Sequence, residues 1–101
     1  MQIYKVRICR EANQDMSKLR KFLKMLMSEE GAIRYANTMR DEINSLTVYA
    51  KCMSRTTSKT LRLIHPDAIR MVSHNRKWNY IYHIVEDVVI VDRIIPAKMN
   101  V

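Results

Sequence analysis

The sequence of 101 residues is long enough for one hydrophobic core and too short for two, so we predict a single domain over residues 1–101. Lys and Arg number 18 against 10 Asp and Glu, a net charge of +8, and a small domain this basic usually faces nucleic acid, an acidic protein or an anionic surface. One glycine and two prolines argue against a loop-rich or disordered chain.

The cysteine pattern and the hydropathy exclude several classes of protein. Cys9 and Cys52 lie far apart with no CxxC motif, so the sequence supports neither a zinc site nor a disulfide framework, and we predict no metal and no cofactor. No apolar run is long enough to span a bilayer, and the first ten residues contain no apolar core of a signal peptide. We therefore expect a cytoplasmic protein with no membrane partner.

A strand is predicted first and a helix hairpin after it. Residues 2–9 form the strand, because Tyr4, Val6 and Ile8 alternate with Lys5, Arg7 and Cys9. From Asp15 the apolar spacing becomes helical: Met16, Leu19, Phe22, Leu23, Leu26 and Met27. A second helix begins at Ser28, an N-cap residue followed by two glutamates, and its stripe is Ala32, Tyr35, Ala36, Met39, Ile43 and Leu46. The two helices should pack as an antiparallel pair on a sheet.

Residues 47–67 give a weaker signal and are followed by three strands. TVYAKCM could extend the second helix or begin a third, and SRTTSKT is predicted to be an exposed loop. The strands are AIRMVSH, WNYIYHIVE and VVIVDRII, joined by the polar HNRK and by Glu86-Asp87, and they should form an antiparallel meander. The last strand should lie inside the sheet, since only Asp92 and Arg93 interrupt its apolar run. The predicted fold class is α+β, in the order β-α-α-β-β-β.

Four stretches in this order carry a family resemblance: IYKVRICREANQDMSKLRKFL, SEEGAIRYANTMRDEINSL, AIRMV and WNYIYHIVEDVVIVDRIIPAK. Together they resemble the RelE/ParE family of bacterial type II toxins, over nearly the whole chain except residues 47–67. The resemblance implies the toxin of a toxin-antitoxin (plasmid stabilisation) module, neutralised by an acidic cognate antitoxin. Members similar to RelE are ribosome-dependent mRNA endonucleases, which cleave RNA without a metal, and members similar to ParE poison DNA gyrase.

The resemblance also implies site residues. Arg70 and Lys98 would be the catalytic cations, and Asn79, a further nucleic-acid contact, stands where RelE-like members carry an arginine. Two more candidates come from the residues themselves. His83 could act as an acid or base because a histidine can titrate near neutrality, and His74, Arg76 and Lys77 form a basic hairpin tip that could contact a nucleic-acid backbone. The Pro96-Ala97 stretch replaces a His-Gly pair, and Lys98 lacks the planar fork of an arginine, so the nuclease set is degraded. A concave sheet face should receive Lys98.

Each candidate has a structural alternative. Arg70 could be an exposed strand arginine, residues 74–77 a polar turn, and the lysines of the first helix a solvated face. His83 could be a hydrogen-bonded histidine, because no Ser, Cys or Asp partner can be placed beside it. Trp78, Tyr80 and Tyr82 fit a core floor better than a base-stacking platform. At the level of function, the alternatives are a non-catalytic basic nucleic-acid-binding module and an inactive toxin homologue.

Overall fold

The computed structural model describes residues 3–98. Its elements, in chain order, are β1 (Lys5–Ile8), α1 (Arg10–Leu26), α2 (Glu29–Asn44), α3 (Leu46–Tyr49), a 3-10 turn (Ala50–Cys52), α4 (Lys59–Arg62), β2 (Ile69–Val72), β3 (Trp78–Val85) and β4 (Val88–Pro96). The predicted order and the α+β class are confirmed. Residue 2 of the first predicted strand lies outside the described residues.

The four strands form one sheet in the order β1-β4-β3-β2. β4 pairs parallel with β1 and antiparallel with β3, and β3 pairs antiparallel with β2. The predicted meander and the interior position of the last strand are therefore confirmed. Strand β4 can be apolar on both of its faces because protein covers much of each.

The helix hairpin covers one face of the sheet. Helix α1 begins at Arg10, five positions before the predicted start, because Ala12 and Met16 already lie in its buried stripe with Leu19 and Leu23. Helix α2 begins as predicted, and the Ser28 Oγ accepts a hydrogen bond from the backbone N–H of Gly31 at 3.1 Å. Both helices pack on the inward residues of the sheet, which are Ile69, Tyr80, Tyr82, Val89, Val91 and Ile94.

Residues 45–68 cross to the other face of the sheet. A third helix follows α2, as one of the two alternatives for TVYAKCM predicted. The stretch predicted as an exposed loop ends instead in α4, capped by the Ser58 hydroxyl, which accepts from the N–H of Leu61. Leu61 is fully buried and forms a second, smaller core with Ala68, Ile81 and Ile95. None of the helices within residues 3–98 is both long and apolar enough to cross a membrane.

Candidate functional site

A groove lies beside the second half of β4, beyond the point where the neighbouring strand β1 ends. Strand β1 stops at Ile8 opposite Val91, whereas β4 continues to Pro96. Over residues 3–98 no strand pairs with that stretch of β4 on its β1 side. The groove has a volume of about 540 Å³ and a mainly apolar wall, which includes Leu19, Phe22, Leu61, Ile64, Trp78 and Ile95. Phe22 was expected in the core but is 51% exposed here.

Asp15 of α1 closes the unpaired edge of β4. Its Oδ2 accepts from the backbone N–H of Ile94 at 2.9 Å and from Arg93 Nε at 2.7 Å, and its Oδ1 accepts from an Arg93 terminal nitrogen at 3.1 Å. This hydrogen-bonded carboxylate raises the pKa of the Arg93 guanidinium above its usual value. The Arg93 side chain is 41% exposed. The rim of the apolar groove thus carries the Arg93–Asp15 ion pair and Lys18, which leaves it one net positive charge.

The opposite face of the sheet holds a histidine pair and a carboxylate. His83 Nδ1 lies 2.7 Å from Asp92 Oδ2, so the expectation that no Asp could stand beside His83 is wrong. The ring of His65 stacks on that of His83, with centroids 3.6 Å apart and planes 5° from parallel. A bulge in the pairing of β3 with β4, between Ile81 and Tyr82, displaces Asp92 from a regular register and brings it to His83.

The hydrogen bonds of this cluster assign the ring nitrogens. Because a carboxylate accepts, the Nδ1–H of His83 is the donor to Asp92, while His65 Nδ1 accepts from the backbone N–H of Asp67 at 3.0 Å. His83 is only 7% exposed. A general acid or base must come within hydrogen-bond distance of its substrate, and this ring is covered. In this conformation His83 holds residues 65–68 against the sheet, and its catalytic role stays a prediction.

The other two catalytic candidates lie on different elements, and one of them shares a sheet face with His83. Arg70 is exposed on β2 opposite Ile81, so it projects from the same face as His83. Lys98 is exposed in the turn after β4 and is not among the residues that line the groove. The delivery of Lys98 to a concave face of the sheet stays a prediction. The cations that line the groove are Lys18 and Arg93, and neither of them was a predicted site residue.

The basic tip between β2 and β3 is fixed to helix α2. The Tyr35 hydroxyl accepts from Asn75 Nδ2 at 2.7 Å and from the indole N–H of Trp78 at 2.9 Å. The carboxylate of Glu42 accepts from the backbone N–H of His74 at 2.7 Å and from the Tyr80 hydroxyl at 3.3 Å. Tyr35 and Glu42 of α2 therefore each bind one residue of the tip and one residue of β3.

The four residues predicted to contact nucleic acid separate into two groups. His74, Arg76 and Lys77 are exposed at the tip, and Arg76 has a φ of 61°, the left-handed conformation of a tight turn. Asn79 is 1% exposed, and its side-chain oxygen has no hydrogen-bond partner within the described residues. In this conformation Asn79 is not accessible to a polyanion, whereas the other three are exposed.

The aromatic residues of β3 form the core floor that was expected. Tyr80 and Tyr82 are fully buried, and Trp78 packs partly buried against the same cluster. Burial raises the pKa of Tyr80 far above its usual value, with a further contribution from the Glu42 carboxylate, and burial likewise raises the pKa of Tyr82. The described residues contain no group of three His, Cys, Asp or Glu that could hold a metal ion.

The comparisons with known proteins bear on the fold. No family model matches the sequence, and none of the curated proteins matches it significantly. Among solved structures, the chain is similar to a chain of the chromosomal ParDE toxin-antitoxin system of P. aeruginosa, with a TM-score of 0.79 and 12% sequence identity. The match covers 95% of this chain and 98% of that one. This chain therefore shares its fold with that chain of the ParDE system.

Proposed function

We propose that this chain is the toxin of a bacterial type II toxin-antitoxin (plasmid stabilisation) module, and that a cognate acidic antitoxin neutralises it. The observation that supports the proposal is the likeness to a ParDE chain over almost the full length of both chains. One fold can carry several functions, so the likeness in fold needs support from the surface of this molecule. Its net positive charge and its groove provide that support.

The groove beside β4 suits an extended peptide that is both apolar and acidic. Its wall is mostly apolar, Lys18 and Arg93 stand at its rim, and the adjoining stretch of β4 has no strand beside it within residues 3–98. Because Asp15 already accepts from the Ile94 N–H, the peptide would be held by side chains that enter the apolar groove and not by adding a strand to β4. The net charge of +8 would accelerate the encounter with an acidic partner.

The resemblance offers two activities, and the burial of His83 favours the one without RNA cleavage. A ribonuclease of this kind needs an acid or base that reaches the ribose or the leaving oxygen. With His83 covered by His65 and hydrogen-bonded to Asp92, poisoning of DNA gyrase is the better-supported activity. Cleavage of mRNA on the ribosome is the competing one.

Induced expression in bacteria, with and without the neighbouring reading frame for a small acidic protein, tests the proposal. We expect growth arrest that co-expression relieves, DNA damage with stalled supercoiling, and no codon-linked RNA cuts. Cuts that disappear in Arg70→Ala or Lys98→Ala would instead establish the ribonuclease. Harmless expression with antitoxin binding retained would identify an inactive homologue, and harmless expression with no antitoxin would refute the toxin.

A matched pair of variants tests the groove itself. Phe22 and Met25 are both exposed apolar residues of α1, but only Phe22 lines the groove. Phe22→Asp should weaken antitoxin binding at least tenfold in calorimetry, because it places a negative charge in the site of an acidic peptide. Met25→Asp should bind as the unmodified protein does, and an equal loss in both would place the antitoxin elsewhere.

A further inference from the structure

The charged residues on the solvent-exposed face of helix α1 are all cations. At 100° per residue its buried stripe occupies one side, and the opposite arc of about 160° carries five exposed cations: Arg10, Lys18, Arg20, Lys21 and Lys24. Within residues 3–98 none of the five forms a salt bridge. The acids of this helix, Glu11 and Asp15, lie at the flank of the arc, and Asp15 is already bound to Arg93.

Helix α2 provides a comparison, because its exposed face carries the charge pattern expected of a surface that contacts only water. The exposed positions of α2 mix signs, with Glu30 four residues before Arg34 and Arg40 beside Asp41. Helix α1 instead repeats like charges three and four residues apart, as in Arg20 and Lys24. Such pairs repel one another in an isolated helix. A bound polyanion would remove this repulsion.

We propose that the outer face of α1 is a docking surface for duplex DNA. An α-helix with its side chains is about 10–12 Å wide, which matches the B-DNA major groove of about 12 Å. The corresponding groove of duplex RNA is too narrow to admit a helix. Cations on both sides of the arc would face the two phosphate walls, and the buried stripe keeps α1 anchored to the sheet.

Three of the four other residues on this arc fit the same ligand, and the fourth is the exposed Met25. Asn13, Gln14 and Ser17 are exposed on this arc and, with Arg10, Lys18 and Lys21, line a shallow polar hollow. Amide and hydroxyl side chains donate to phosphates and to base edges. From Arg10 to Lys24 the helix rises about 21 Å, or roughly six base pairs. This surface meets the β4 groove only at Lys18, which lines both, and it does not depend on the toxin assignment.

Fluorescence anisotropy with a labelled duplex of 20 base pairs, measured from low to moderate salt, tests this surface. The variant Arg20→Gln/Lys21→Gln/Lys24→Gln removes three charges from the arc at residues that do not line the β4 groove. The control variant Lys5→Gln/Lys51→Gln/Lys59→Gln removes three charges from exposed lysines elsewhere, so both proteins carry +5, since 8 − 3 = 5. Circular dichroism verifies that both variants fold, which glutamine should permit because its helix propensity is close to those of lysine and arginine.

We expect the α1 variant to bind at least tenfold more weakly and to lower the slope of log K against log salt by about 2 to 3, whereas the control stays within about threefold of the unmodified protein. Equal losses in both variants would show attraction to net charge alone and would overturn the proposal. Duplex RNA of the same sequence binding as tightly as DNA would also overturn it. Polyglutamate binding as tightly as DNA would assign the face to an acidic protein instead.

Discussion

Replacing Asp15 with alanine should destabilise the fold through the edge of β4. The substitution leaves the N–H of Ile94 without its acceptor in a partly buried position, which costs about 1–3 kcal/mol. The lost bonds to Arg93 add only about 0.5–1 kcal/mol, because that guanidinium is 41% exposed and water can solvate it again. We therefore expect the free energy of unfolding to fall by about 2–3 kcal/mol.

Urea denaturation followed by circular dichroism measures this change. With an m-value of about 1.5 kcal/mol/M for a domain of this size, the midpoint should fall by roughly 1.5–2 M. Asp15→Asn keeps an oxygen that can accept from Ile94 and loses only the charge, so its cost should be about 1 kcal/mol. Asp41→Ala is the control, since Asp41 is an exposed α2 carboxylate, and it should change stability by less than about 0.5 kcal/mol.

Two outcomes would refute this reasoning. A loss below about 0.5 kcal/mol for Asp15→Ala would mean that water satisfies the Ile94 N–H as well as the carboxylate does. An Asp15→Asn variant as unstable as Asp15→Ala would mean that the charge, and not the acceptor at the strand edge, provides the stability.

Three further predictions concern other groups. Burial raises the pKa of the Cys9 thiol, so at about pH 8 a thiol reagent should react quickly with the exposed Cys52 alone, and Cys52→Ser should abolish the fast phase. Buried Tyr80 and Tyr82 stay protonated while unfolded tyrosines ionise near pH 10, so stability should fall as pH rises above about 10; simultaneous titration of all five tyrosines in the folded protein would contradict this. Tyr35→Phe should cost about 1–2 kcal/mol and red-shift the fluorescence of the single tryptophan, and an unchanged spectrum would show that the hydroxyl does not order the tip.

The sequence was sufficient to predict those elements whose apolar residues recur at a regular helical or strand spacing. The helix hairpin, the three-strand meander and the interior position of β4 all follow from the apolar spacing along their elements. The start of α1 was missed because Arg10 and Glu11 at its first turn offer no N-cap side chain, and indeed Cys9 makes none of the usual capping bonds. Helix α4 is only four residues long, which is too short for a period to show.

The site was less predictable because its bonds join distant parts of the chain. Asp15 and Arg93 are 78 residues apart, and only the fold brings them together. The one sequence signal was the isolated Asp92-Arg93 pair in an otherwise apolar strand, which indicates that both charges have partners. Asp92 was not assigned to His83 because a bulge, which no residue pattern marks here, sets its position.

The position of β4 between β1 and β3 has a consequence for how the protein is made. Cys9 follows β1 and bonds to Asp92 of β4, 83 positions later, so β1 leaves the ribosome well before the strand with which it pairs. Long-range pairing of this kind slows folding, because chain entropy must be lost before the contacts form. During synthesis β1 therefore stays without its partner while the helices and the first hairpin take shape, and a nascent chain lacking β4 has neither a complete sheet nor the groove.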